Sequence, residues 1–347
     1  MKRGADRLDH NDVTEDSVPP FFVSDAEWAR AEAFFGSQKF GWYNWNLGLL
    51  FSTPKLVRKL KKEKGNPNSH TFIEQDGKII VTANTASEPH CVLGEGGQGK
   101  VKLGFMRKGS TVAVKTQKEM VAQLKNMPHQ RLKAIRPQDL ECQALAHEGL
   151  LVGYLHETRP RTPTSQVLEK QYTIMQLVPG EDLQKIDSRE LTLQQRLQIA
   201  YQCCVVLKHI HAGKFVHGDI KPANIKVQFV GDSIIVKFID FGFSFKLKDG
   251  QIQMDIPASF GSDSYIAPEV SKGYNIGYAS DVYSLGVVFS KDLKIPAKIW
   301  DGMTSYLSER RPSLDEITNR LQTAIAQTPP QALESTGHKK LKPDGKS

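Results

Sequence analysis

Nothing in this 347-residue chain approaches the run of roughly 20 apolar residues that spans a bilayer, so no membrane-crossing helix is expected. The opening MKRGADRLDH lacks the apolar segment of a signal peptide, and no secretory leader is expected. Cysteine is scarce: Cys91, Cys142, Cys203 and Cys204 show no zinc-site spacing. Adjacent Cys203 and Cys204 fall in an apolar helical pattern, which reads as core thiols of a reducing compartment; the expected location is cytoplasmic. No internal repeat is present. A 24% charged fraction beside 39% hydrophobic residues argues against wholesale disorder and provides for one large or two modest cores. The net charge of +8 is dispersed, apart from a cluster around Lys55–Lys64 and the tail. A basic surface is therefore expected, without nucleic-acid binding.

Residues 1–20 are polar, end in Pro19-Pro20 and read as a flexible arm. Ser24-Asp25 opens a helix with Trp28, Ala31, Phe34 and Phe35 on its apolar face. The aromatic segment FGWYNWNLGLLF follows, and Thr53-Pro54 is expected to open a second helix bearing Leu56, Val57 and Leu60. Residues 40–64 could contact a membrane surface or a partner, but packing of the aromatics on the neighbouring lobe is preferred. Thr71 to Ala83 reads as two strands joined at Asp76-Gly77, and strands dominate from Cys91 to Val114. A helix is expected around Gln138–His147, a strand over Tyr172–Leu177, and a long helix from Thr192 to Ala212, stopped by Gly213. This order suits a two-lobed α+β fold, a small β-rich lobe with one main helix followed by a larger helical lobe. The expected partition is a flexible arm at 1–20, an N-terminal extension at 21–86, a small lobe at 87–178, a large lobe at 179–326 and a disordered basic tail at 327–347.

GEGGQGKV, Gly94 to Val101, matches three phosphate-binding patterns. A dinucleotide fingerprint needs a helix directly after the glycines, whereas Val101, Leu103 and Phe105 alternate as in a strand. A P-loop needs a hydroxyl after Lys100, and Val101 has none. The third pattern is a glycine hairpin over nucleotide phosphates, which requires an apolar strand ending in lysine; Val112-Ala113-Val114-Lys115 supplies it.

Downstream, VHGDIKPAN (Val216 to Asn224) and FIDFG (Phe238 to Gly242) supply an aspartate, a lysine, an asparagine and a second aspartate in fixed order. The set resembles the catalytic loop and metal-binding motif of eukaryotic-type Ser/Thr protein kinases, and the resemblance covers about Ser87 to Ala326. It implies that ATP is bound by Leu93, Gly94, Gly96, Gly99, Val101, Ala113, Lys115, Met175, Val178 and Asp182, the last toward the ribose. Glu141 would hold Lys115, with Glu148 as competitor. Asp219 would orient the acceptor hydroxyl, Lys221 would stabilise the moving phosphoryl group, and Asn224 and Asp240 would hold Mg²⁺. Lys221 points to the Ser/Thr-directed branch, and His217 reads as a packed structural histidine. In FGSDSYIAPE, Ser262 matches the hydroxyl that contacts the catalytic aspartate and lysine. Glu269, Asp281 and Arg311 match structural supports.

Four departures from the family pattern stand out. Gly218 replaces the arginine that commonly binds a phosphorylated loop residue, a non-RD arrangement that implies activity without that phosphorylation. The Glu269–Arg311 interval is short, which implies a pared-down large lobe. Ala223 replaces a frequent glutamate, so a strong preference for basic peptides is not expected. Gln98 stands where an aromatic is common. The expected activity is ATP- and Mg²⁺-dependent transfer to Ser/Thr hydroxyls of proteins, with autophosphorylation. The rivals are a pseudokinase scaffold and a small-molecule kinase, and a bacterial effector acting in a host cell is one setting for such a chain.

Overall fold

The computed structural model describes residues 21–37, 57–75, 78–96, 99–107, 111–120, 137–157, 168–256, 262 and 264–329. The chain divides into two compact units, Met1–Leu177 and Val178–Ser347. The flexible arm, the aromatic segment at 40–51, Gln98 and the tail beyond 329 lie outside the described residues.

In the first unit, helix α1 (Asp25–Gly36) starts where Ser24 accepts the Glu27 amide, with Asp25 and Glu27 in its first turn. Its buried stripe is Trp28, Ala31 and Phe35. Strands β1 (Val57–Leu60), β2 (Thr71–Gln75), β3 (Lys78–Thr82), β4 (Val92–Gly96), β5 (Gly99–Met106), β6 (Thr111–Met120), β7 (Leu151–Glu157) and β8 (Leu168–Gln176) form one sheet. Its order is β1-β2-β3-β5-β6-β8-β7, with β4 also paired to β5, and every pairing is antiparallel. Helix α2 (Pro137–His147) lies between β6 and β7 in sequence.

Strands β1, β2 and β3 are thus part of this sheet, because β3 pairs with β5 through Ile80↔Met106 to Thr82↔Gly104. The two faces of that junction bury separate clusters. On one, Trp28 and Phe35 of α1 pack with Phe72, Val81 and Phe105; the Trp28 ring lies 5.3 Å from Phe72 and 6.1 Å from Phe105. On the other, Ile73 and Ile80 close over Val112, Val114, Tyr172 and Ile174. The sheet curls so far that Lys59 of β1 hydrogen-bonds the Tyr172 hydroxyl of β8, its ammonium 4.2 Å from the ring centroid.

One expectation fails here. Val57–Leu60 is a strand, not part of a helix opened at Thr53-Pro54. Its pairing with β2 from Val57↔Gln75 to Leu60↔Phe72 outweighs the helical spacing of its apolar residues, and Leu60 joins the Phe72 cluster.

In the second unit, β9 (Glu181–Asp182) leads to helix α3 (Leu193–Ala212). A reciprocal box between Thr192 and Gln195 caps α3 at its start, and the Gly213 amide caps its end. Its buried face includes Leu197, Cys203, Cys204, Leu207 and Ile210. Burial raises the Cys203 thiol pKa well above normal and pushes that of Cys204 to about 12, so both are inert core thiols. Strands β10 (Phe215–Val216), β11 (Ile225–Val230), β12 (Ser233–Phe238) and β13 (Phe245–Lys246) follow. β11 pairs with both β12 and β9, and β10 pairs with β13. Next come β14 (Gln253–Asp255), α4 (Pro268–Ser271), β15 (Asn275–Gly277), α5 (Tyr278–Val287), α6 (Ala297–Trp300) and α7 (Leu314–Gln327). Between α5 and Arg311, the only α-helix among the described residues is the four-residue α6.

Candidate active site

The first unit presents the glycine hairpin and the lysine strand. β4 and β5 pair through Gly94↔Val101 and Gly96↔Gly99, and Leu93 on β4 is exposed. A strand, not a helix, follows the glycines. Gly99 has φ +132°, and a Cβ there would lie 2.3 Å from the Thr116 carbonyl, so this turn accepts only glycine. Across β5, β6 and β8 the register pairs Val101 with Lys115, Lys115 with Thr173, and Ala113 with Met175. Opposed residues share a face, so Val101, Ala113, Lys115 and Met175 line one side of the sheet.

Lys115 is buried, as is Glu141 on α2, and their Nζ–Oε1 distance is 2.7 Å. Two charges this deep persist as partners, because either alone would carry several kcal/mol of desolvation. The competitor Glu148 lies beyond the end of α2 and approaches His147 at 3.9 Å.

The second unit carries the loop between β10 and β11. Asp281 of α5 is buried and braces it: Oδ2 accepts the His217 amide at 2.8 Å, and Oδ1 accepts the Gly218 amide at 3.0 Å. His211 Nε2 lies 2.9 Å from the same carboxylate. His217 is fully buried, its Nε2 3.2 Å from the Ile239 carbonyl and its Nδ1 accepting the Asp219 amide at 3.3 Å. Burial lowers its pKa, although Asp281, Asp219 and Asp240 oppose the shift. It is therefore a neutral ring spent on backbone contacts and unsuited to act as a base.

Around Asp219 the polar groups converge. Lys221 Nζ donates to Asp219 Oδ2 at 2.8 Å and to Ser262 Oγ at 2.8 Å, and Ser262 donates to Asp219 Oδ1 at 3.0 Å. Asn224, on a 3₁₀ turn at Pro222–Asn224, donates Nδ2 to the Asp219 carbonyl at 2.8 Å and to its Oδ2 at 3.0 Å. Asp240 follows β12 in the left-handed region, φ +61°, uncommon for a non-glycine residue and frequent at functional sites. The Asn224 amide nitrogen is committed to Asp219, which leaves its carbonyl oxygen to face a cation. That oxygen and the Asp240 carboxylate are hard donors of the kind Mg²⁺ prefers.

Val178 opens this unit. Asp182 is held by Lys226 at 2.7 Å and Lys185 at 3.0 Å. Burial raises its pKa, but those two lysines outweigh burial and the net shift is downward. Glu269 and Arg311 form a two-pronged pair, both contacts 2.7 Å, with Ser280 donating to Glu269 at 2.8 Å. Burial opposes ionisation of Glu269, and Arg311 overrides it, so the Glu269 pKa falls.

Sequence reasoning missed three contributors. Gln117 donates to Glu141 Oε2 at 3.1 Å. The Tyr265 hydroxyl reaches both Asp292 oxygens at 3.2 Å, where a π-helical turn at Val288–Asp292 ends α5. His211 joins the Asp281 brace. Their only signal was proximity to the motifs, and long-range pairing set their partners.

Comparison with known proteins agrees with this geometry. The protein kinase domain family matches residues 88–335. The chain is similar to serine/threonine-protein kinase Pkn1 of Myxococcus xanthus, 31% identical over 68% of this chain and 33% of that protein. Serine/threonine-protein kinase PknB of Mycobacterium leprae is 30% identical over 57% of this chain and 30% of its own length. Serine/threonine-protein kinase PknA of Mycobacterium tuberculosis is 40% identical over 34% of this chain and 27% of its own. The chain spans about a third or less of the length of these curated relatives. Among the described residues, no helix is long and apolar enough to cross a membrane. On the domain match and the residues that carry it, the chain belongs to the protein kinase family and is similar to its serine/threonine-protein kinase members.

Proposed function

We propose that the protein transfers the γ-phosphoryl group of ATP to serine and threonine hydroxyls of protein substrates, itself included. The observation that carries this reading is the closed set Asp219–Lys221–Ser262–Asn224, in which one carboxylate meets an ammonium, a hydroxyl and an amide within 3.0 Å. Asp219 would orient the acceptor hydroxyl and take its proton, using the oxygen now shared with Ser262. Lys221 would supply positive charge where the transferring phosphoryl group develops negative charge. Mg²⁺, held by Asn224 and Asp240, would neutralise phosphate charge when bound. Lys115, aimed by Glu141, would take the α- and β-phosphates.

We further propose that activity does not depend on phosphorylation of the segment before Pro268. The support is how the described residues on either side of 257–261 are fastened. β14 pairs with β15 from Gln253↔Gly277 to Asp255↔Asn275. Ile256, Ala267, Val270 and Ile276 pack with Val216 and Leu247 in an apolar cluster. Gly218 places no cation there. Packing thus performs the task that an arginine–phosphate pair performs elsewhere.

The test is transfer of labelled phosphate from ATP to a generic protein and to the protein itself, comparing wild type with Asp219→Ala and Asp240→Ala. Transfer by wild type, lost in both variants and unaffected by prior phosphatase treatment, is expected. Equal silence of all three would establish the rival reading, a pseudokinase scaffold; phosphatase sensitivity would overturn phosphorylation-independence alone.

A further inference from the structure

Gln117 lies two residues beyond Lys115 on β6, and the two-residue period of a strand sends both side chains to one face. The two oxygens of Glu141 divide between them, Oε1 to Lys115 Nζ at 2.7 Å and Oε2 to Gln117 Nε2 at 3.1 Å. Glu141 is only 1% exposed, so an oxygen left without a donor there would bear the full desolvation cost. The amide can face the glutamate only through its nitrogen, since the reverse orientation would set two acceptor oxygens against each other. That orientation leaves Gln117 Oε1 buried without a hydrogen-bond partner among the described residues. Methionine would fill the same volume with no orphaned oxygen. The glutamine thus carries a local cost, and its one visible return is the contact to Glu141.

We propose that Gln117 is a positioning residue for phosphate binding. It pins the second oxygen of Glu141, so that the first stays aimed at Lys115 and the ammonium is held in one position toward the nucleotide. The inference rests on the reading of Lys115 as a phosphate-binding group. A carboxylate whose second oxygen is unpinned can rotate about the ammonium and lose its aim. A second cation at 117 would compete with Lys115 for the carboxylate charge. A neutral donor fixes the geometry and leaves the charge balance of the pair intact.

Calorimetric titration of the full chain with ATP and Mg²⁺ tests this, with thermal unfolding measured alongside. Gln117→Met should weaken ATP binding about tenfold, the equivalent of one hydrogen bond to a charged group, while Tm stays level or rises as the orphaned oxygen disappears. A merely structural role would instead lower Tm and leave the ATP affinity of the folded fraction unchanged; either an unchanged affinity or that pattern overturns the proposal. Should the methionine variant fail to fold, Gln117→Glu provides a second reading. Two adjoining buried carboxylates share a proton, so its ATP affinity should change with pH more steeply than that of wild type, and parallel profiles overturn the proposal. Lys115→Met separates the two layers. If it binds ATP as tightly as wild type, the phosphate-binding reading of Lys115 falls; if it alone loses binding while Gln117→Met does not, only the role of Gln117 falls.

Discussion

Asp281 receives the Gly218 amide at 3.0 Å while its other oxygen takes the neighbouring His217 amide, so one buried carboxylate fixes the backbone immediately before Asp219. Asp281→Ala would strand two backbone donors, at about 1–3 kcal/mol each. Asp281→Asn keeps an acceptor for one. The expected order of thermal stability is wild type, then Asn, then Ala, with phosphoryl transfer lost in both variants. An alanine variant as stable as wild type would contradict the bracing role.

Gly218 is more than a missing arginine. Its φ is +79°, and a Cβ would lie 2.4 Å from the Phe243 carbonyl. Gly218→Arg should therefore destabilise the protein by at least the ~1–2 kcal/mol of a left-handed non-glycine residue. Urea unfolding of Gly218→Ala and Gly218→Arg should show that most of the loss arrives with the alanine. A stable arginine variant would mean that the loop relaxes at little cost.

Two carboxylates make stability respond to pH in opposite directions. Glu269, lowered because Arg311 outweighs burial, contributes stability that is present above the ordinary glutamate pKa and lost as pH falls through its folded value. Asp292, raised chiefly by burial, favours its protonated form, so stability declines as pH rises through its folded value. Tm profiles should show Arg311→Met removing the acid-side loss along with about 3–5 kcal/mol from the broken pair. Asp292→Asn should remove the decline on the other side and keep an acceptor for Tyr265. A profile unchanged in either variant refutes the corresponding assignment.

Tyr265 links that carboxylate to the site. Its hydroxyl donates to Asp292, and its amide donates to the Ser262 carbonyl at 2.8 Å. Burial next to Asp292 pushes the phenol pKa up to about 12, so it stays a donor throughout the working range. Tyr265→Phe should raise KM for the acceptor protein several-fold, about the worth of one hydrogen bond to a charged group, and leave KM for ATP unchanged. Equal effects on both would point to a general loss of structure.

A chain beginning at residue 87 tests the extension. Phe105, Val112, Val114 and Ile174 would lose the cover of Trp28, Phe72, Ile73 and Ile80. Aggregation on expression is expected, because an apolar sheet face and a free strand edge would both meet solvent. A soluble, monomeric, active product would show that the extension is dispensable.

What could be read in advance follows physical range. Local signals held for the helix start at Ser24-Asp25, the long helix from Thr192 to Ala212 and the strand alternation after the glycines, each of which depends on near neighbours. The helix expected after Thr53-Pro54 failed because Val57–Leu60 owes its conformation to Thr71–Gln75. Gln117 was invisible because a glutamine on a strand means little until the helix brings Glu141 to it. The integration of residues 57–82 into the sheet was likewise written in pairings across long separations.

The bond between Lys59 and Tyr172 spans 113 residues. During synthesis β1, β2 and β3 precede their partners, for β3 must wait for β5, and β1 for Tyr172 in the middle of β8, before their faces are covered. Such distant pairing is slow, and the waiting strands are exposed apolar surface. Within the first unit, strands made before their partners keep apolar faces uncovered until Tyr172 has been translated.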